Sequence, residues 1–384
     1  MNLIGQRAAL ASLAVLGIAG GLIYYTSRDL SLPEQTMDTA PAGTRALLRM
    51  DVPAVRRSIF YQKLVVEAGR DSGHRALVER CGFDPLDQLE DLVIFVAGDS
   101  AELERTGVIG RGPFEHERVA ECLRQAAAES ESTLERTEVE ELPAVKIGRG
   151  EGVMAFIGRR GLAWGQRETV VSVIRAVRGE GGRASEDELL NRLYNTIGRD
   201  REVVIVSHIP EPWIPALRQL AQSRGEDVAR MAEPFFATKA IGLGARVSVG
   251  LAIGALFSMR DAESAEILTR TLRAELETLM AQPIINMSPI GPALRRINVN
   301  QSGVDVNIAF DLQQERVENL FSLAERFGVT GGGPGAPPPP PGPLVGPGGT
   351  FSPTSPTPPA SLPAPSADPA APSPAGATEA PAAP

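Results

Sequence analysis

The chain holds 384 residues, 43% of them apolar and 22% charged, with a net charge of −9. That length accommodates two domains of ordinary size, and the apolar content between the two ends can bury a core, which excludes wholesale disorder. The acidic balance argues against a nucleic-acid binder, which needs a basic face to neutralise phosphates.

Residues 1–30 predict an N-terminal transmembrane anchor or signal segment. Ala8 through Leu16 to Tyr25 is a run of 18 residues without a charge, preceded by Arg7 and followed by Arg28 and Asp29. About 17–25 apolar residues span a bilayer as a helix, and Tyr24 and Tyr25 stand where interfacial aromatics belong. The competing reading is a cleaved signal peptide with Gly17-Ile18-Ala19 as its cleavage site. The apolar run continues past that site to Tyr25, which favours an uncleaved anchor. Either way the bulk of the chain is expected outside the cytoplasmic membrane, in the periplasm, as part of a single-pass protein. No cysteine lies near this segment, so a lipid-modified cysteine is excluded.

After a linker at 31–42, the expected fold class is α+β. Two similar tandem modules, 43–182 and 183–329, would each pair mainly antiparallel strands with packed helices. In the first, Thr44–Asp51 alternates and ends near Pro53, as a strand does. Helical stretches follow at Gln62–Gly69 and His74–Cys81, then strands at Leu89–Ala97 and Thr106–Gly112 and a helix at Glu115–Glu129. A three-stranded meander over Val145–Gln166 leads to a helix whose stripe is Val170, Val173, Ile174 and Val177.

The second module repeats this order. Ser185 and Glu188 read as a capping-box pair, Glu202–Ile209 as a strand and Trp213–Gln222 as a helix. From Ile241 to Phe257 every odd position is apolar, a period-two signal too long for one ordinary strand, so a bend or a hairpin is expected near Gly250. The small residues on the other side, among them Gly242, Gly244 and Gly254, either line a cleft or let a helix pack closely. Asp261 reads as the N-cap of a helix reaching Met280. A hairpin around Gln301-Ser302-Gly303 precedes a last helix capped by Asp311 and Gln314. Its stripe of Val317, Leu320, Phe321 and Ala324 repeats that of the first module 147 residues later. Residues 330–384 hold 19 of the 32 prolines and form a disordered Pro/Ala/Gly/Ser-rich tail. Such a tail is a spacer or a ligand for a proline-binding partner.

The chain has two cysteines, Cys81 and Cys122, each on an apolar helix face. Two readings stay open, a pair of buried thiols or a disulfide formed in an oxidising compartment. Two isolated cysteines lack the paired spacing of a zinc site.

The segments Leu47-Leu48-Arg49-Met50-Asp51, Cys81-Gly82-Phe83-Asp84-Pro85, Leu89-Glu90-Asp91-Leu92 and Gly112-Pro113-Phe114 resemble those of uncharacterised exported, membrane-anchored bacterial families. In these an anchor precedes one or two α+β repeats, and the resemblance implies no catalytic residue.

The residues themselves offer no catalytic set. His116, between Glu115 and Glu117, reads as a solvated helix start, and His208 as a structural strand end. No serine sits in a G-x-S-x-G elbow. Gly148-Arg149-Gly150-Glu151-Gly152 lacks the phosphate-loop lysine and reads as a turn. The acids Asp84, Asp87, Glu90 and Asp91 lack the glycine and glutamate of a calcium loop. No catalytic residue, cofactor or metal is expected. The expected function is that of a non-enzymatic membrane-anchored envelope protein, working through contact with an unknown envelope partner or through assembly support. The alternative is a carrier or sensor of an apolar ligand, served by the long alternating stretch from Ile241 to Phe257.

Overall fold

The computed structural model describes residues 30–66, 72–98, 105–129, 133–148, 152–198, 200–283, 285 and 291–326. The expected anchor (Ala8, Leu16, Tyr25) and the tail from 330 lie outside them. The fold is α+β, organised by one antiparallel sheet of 12 strands. They are β1 (Thr44–Asp51), β2 (Asp91–Ala97), β3 (Arg105–Arg111), β4 (Leu134–Val139), β5 (Leu142–Ile147), β6 (Gly152–Ile157), β7 (Gly161–Gln166), β8 (Val203–His208), β9 (Thr238–Arg246), β10 (Gly250–Met259), β11 (Asn298–Ser302) and β12 (Asp305–Gln313). In space they run β11-β12-β10-β9-β8-β1-β2-β3-β7-β6-β5-β4, so β1 and β8 pair at the centre, with Leu48 opposite Ile205.

The two faces of this sheet are covered unequally. On the first face lie Leu47, Val93, Phe95, Ile109, Val204 and Val206, all buried. Two helices cover them, α4 (Arg167–Arg178) and α5 (Glu188–Ile197). Their apolar stripes, Val170, Val173, Ile174 and Val177 on one and Leu190, Leu193 and Ile197 on the other, belong to the same cluster as the strands. This cluster runs from Met37 to Leu256 and so crosses the expected boundary at 182/183. Gly244 and Gly242 of β9 make the approach of α5 possible. A Cβ at Gly242 would stand 2.8 Å from Ile197, and one at Gly244 would overlap the same side chain. Of the two readings of those small residues, close helix packing is the one observed.

The chain enters along this face. Leu32 lies against Gly161, Arg111 donates to the carbonyl of Pro33, and Met37 and Ala40 are buried. It thus crosses from the strand ends at Asp91, Arg111 and Gly161 to the opposite ends, where β1 begins at Thr44.

On the second face the strand register builds a continuous apolar row: Leu243, Ile205, Leu48, Ile94, Val108 and Trp164. Each is only half-buried. Here the helices sit at the flanks, α3 (His116–Glu129) beside β4 and α8 (Ala262–Ala281) beside β11 and β12.

Several local expectations change. Ser185 does not cap α5, because a 3-10 turn over Ala184–Glu186 intervenes and Asp187 takes the cap, accepting from the Leu190 N–H at 2.9 Å. Ser185 instead donates to Asp38. Asp311 does not cap α9 (Gln314–Arg326), since β12 continues to Gln313. The helix expected from Gln62 to Gly69 is a π-turn over Gln62–Val66 as far as it is described, after α1 (Val52–Arg57) and a short turn at Ile59–Tyr61. β4 was not expected at all, because Leu-Glu-Arg-Thr-Glu-Val carries charge on both sides, as an edge strand tolerates.

Candidate functional site

A cavity lined almost wholly by hydrocarbon lies on the second face, at the strand ends where β8 finishes and β9 begins. It is roofed by a helical pair, α6 (Ile214–Ser223) and α7 (Glu226–Ala232), and by a 3-10 turn over Glu233–Ala237. Sequence explains the roof. Pro210 and Pro215 punctuate the exit from β8 and the first turn of α6. Ile214, Leu217 and Ala221 form an i, i+3, i+7 stripe that turns inward. Gly225, with φ of 115°, makes the reversal into α7. On α7 the matching apolar positions are Val228, Met231 and Ala232.

The two helices make their main contacts with each other and with the flanking 3-10 turns rather than with the strands. The gap they leave has a volume of about 780 Å³, within the ~300–1,000 Å³ range of small-molecule sites. Ile241 of β9 and Phe257 of β10 form its floor, with Phe235 and Phe236 from the turn. The Phe235 and Phe257 rings meet edge to face at 5.5 Å between centroids. The rim is exposed hydrocarbon, Leu217 at 40%, Leu220 at 55% and Val228 at 38% of full accessibility. Two polar side chains line it, Thr238 and Arg224. Thr238 is already engaged, its hydroxyl donating to Met259 Sδ at 3.5 Å. The roof is braced from outside by Arg218, which pairs with Glu233 at 2.8 Å and lies 5.0 Å over the Phe236 ring.

The remaining sequence candidates fall elsewhere. His208, next to the cavity residue Ile209, turns to the other face and meets Asp187 at 2.8 Å. Burial alone would raise the Asp187 carboxyl, but the Leu190 N–H and His208 outweigh it and hold it below its ordinary value. This ties the end of β8 to the start of α5. His116 is not simply a solvated helix start: its ring stacks on Phe156 at 4.4 Å. It lines a second cavity of about 930 Å³ whose walls mix Glu115, Glu117, Glu138 and Glu141 with Arg118, Arg136 and Arg159. Cys81 and Cys122 are bonded, with Cα atoms 4.8 Å apart, and join α2 (Ser72–Cys81) to α3. Arg118 lies 4.2 Å over the Phe83 ring beside that bond. Among the described residues no group of three or more His, Cys, Asp or Glu side chains is placed to hold a metal, and no helix is long and apolar enough to cross a membrane.

Sequence reasoning flagged the stretch that Ile241 and Phe257 bound but weighed a cleft on its opposite side, that of Gly242, Gly244 and Gly254, whereas the floor is the Ile241 and Phe257 side. It missed α7, whose seven residues carry too few apolar positions to stand out. The signal that could have found it is Gly225 followed by Val228, Met231 and Ala232. No family model, no curated protein and no solved structure matches this chain.

Proposed function

We propose that the protein is a non-enzymatic, membrane-anchored component of the cell envelope whose extracytoplasmic part binds an apolar ligand beneath α6 and α7. The observation that carries this reading is the 780 Å³ cavity, lined by 13 residues of which only Arg224 and Thr238 are polar. A monomer that meets no ligand has little reason to hold a helical pair off its sheet and leave leucines exposed around the opening. A membrane anchor at residues 8–25 places the site outside the cytoplasm.

The same roof supports a second reading, contact with an envelope partner. Trp213, Leu217, Leu220, Val228 and Met231 all expose hydrocarbon on it, and such a ridge suits a protein interface.

We also read the two halves as diverged copies. β1 and β8 are each followed by a proline, Pro53 and Pro210, and then by helices. Next come hairpins β2–β3 and β9–β10, helices α3 and α8, hairpins β6–β7 and β11–β12, and final helices α4 and α9. The β4–β5 hairpin is then an addition to the first copy at its edge.

The test is titration of the exported chain with a neutral fluorescent apolar probe, for wild type and for Ala221→Trp, which fills the cavity from α6. Micromolar binding by wild type, reduced about tenfold or more in the variant at an unchanged melting temperature, is expected. Equal binding by both would place the ligand elsewhere.

A further inference from the structure

The cavity has one charged lining residue, Arg224, and its state is unlike that of its neighbours. Arg218 is paired with Glu233 at 2.8 Å and Arg230 with Asp227 at 2.5 Å. Arg260 reaches Glu211 at 3.3 Å. The Arg224 guanidinium has no carboxylate or carbonyl partner among the described residues, although it stands on the same roof and is exposed. It follows the last residue of α6, at the mouth, beside the exposed Leu220 and Val228. Ile241 and Phe257 line the cavity from the sheet, and Phe235 of the 3-10 turn packs on Phe257.

A hydrocarbon interior with a single unpartnered cation at its opening has a chemical complement. We infer that the ligand is a single-chain amphiphile with an anionic head, its acyl chain over Ile241 and Phe257 and its carboxylate or phosphate on Arg224. This rests on the reading of the cavity as an apolar-ligand site. Guanidinium suits either head, since its planar fork of donors matches carboxylate and phosphate oxygens in pairs. An ammonium head would meet like charge at the mouth. A chain without a head would gain the same burial and leave the arginine unused. Because Arg224 is exposed, its contribution is that of a solvent-screened pair, about fivefold in affinity at most; reversing its charge should shift the preference further.

The experiment uses the full chain in nanodiscs of zwitterionic phosphatidylcholine. Three photoactivatable probes of equal chain length are compared: a diazirine palmitate, the corresponding hexadecanol and a diazirine lysophosphatidylglycerol. Labelling of peptides covering 209–224 and 235–257 is read by mass spectrometry in wild type, Arg224→Glu and Arg224→Lys. The expected result is cavity labelling by at least one anionic probe several-fold above hexadecanol, an excess that disappears in Arg224→Glu and is retained in Arg224→Lys. Preference for palmitate alone would assign a free fatty acid, and preference for the lysolipid a lipid head. Equal labelling by hexadecanol and both anionic probes in all three proteins would overturn the anionic head while leaving the cavity reading intact. Labelling of these peptides by none of the probes would overturn both.

Discussion

Glu202 shows how one carboxylate fixes the turn between β9 and β10. Its Oε2 accepts the N–H groups of Val247 at 2.6 Å and Ser248 at 2.8 Å, and the Ser248 hydroxyl donates to Oε1. Burial alone would raise this group, yet those three donors outweigh it and hold it below the ordinary carboxylate range. A depressed native value means that the stabilisation is present above the unfolded value of about 4.3 and is lost as pH falls through the folded one. Glu202→Ala is therefore expected to lose about 1–2 kcal/mol in urea titrations at pH 7, and the gap to wild type should narrow at pH 3. A gap that stays constant with pH would mean the carboxylate charge plays no part. A second residue-scale comparison separates close packing from general strand propensity. Gly244→Ala must displace Ile197 and should cost about 1–3 kcal/mol. Gly254→Ala, whose new Cβ would find its nearest neighbours at 3.9 Å, should be close to neutral.

At the scale of elements, the turn between β4 and β5 breaks a local rule. Glu140 and Glu141 have φ of 49° and 64°, the left-handed pair of a two-residue hairpin that asparagine and glycine normally supply. Arg175 pairs with Glu140 at 2.9 Å and Arg178 donates to its carbonyl at 2.7 Å, so α4 holds the turn in place. Glu141→Gly relieves the strain without touching those arginines and should stabilise the fold by about 0.5–1 kcal/mol, read as a raised denaturation midpoint. The Cys81–Cys122 bond is the other device at this scale. It closes a separation of 41 residues, for which the loss of unfolded-chain entropy is worth about 3–4 kcal/mol. Reduction, or the double serine variant, is expected to lower stability by up to that amount.

What was legible in the sequence divides along the same line. β1 was read with its observed limits because its alternation ends in a proline, and Ile241–Phe257 was read as strand because period two persists through it, while the choice between a bend and the observed β9–β10 hairpin stayed open. The capping of α5 was misread because Ser185 and Asp187 both satisfy the cap chemistry, and only the intervening 3-10 turn decides between them. β4 stayed invisible because an edge strand bears charge on both sides. The cavity could not be read at all: it is a gap between elements, and sequence periodicity reports which face of each is apolar, not whether the faces meet.

Across the whole molecule, a single sheet joins the two halves through β1 and β8, and one apolar cluster spans both. Residues 30–182 or 183–326 produced alone would expose a central strand edge and half a core. Neither is expected to give a cooperative melting transition as a monomer. The first described residues and the cavity lie at opposite strand ends. Leu32 and Pro33 leave the sheet at the strand ends marked by Arg111 and Gly161, whereas the cavity lies at the ends marked by Ile209, Thr238 and Phe257. The most direct measurement is native mass spectrometry of the exported chain from Leu30 onward, purified without detergent. A bound mass of a few hundred daltons in wild type, absent from Ala221→Trp, is the predicted result. A bare mass for wild type, unchanged when palmitate or hexadecanol is added, would contradict a ligand beneath α6 and α7.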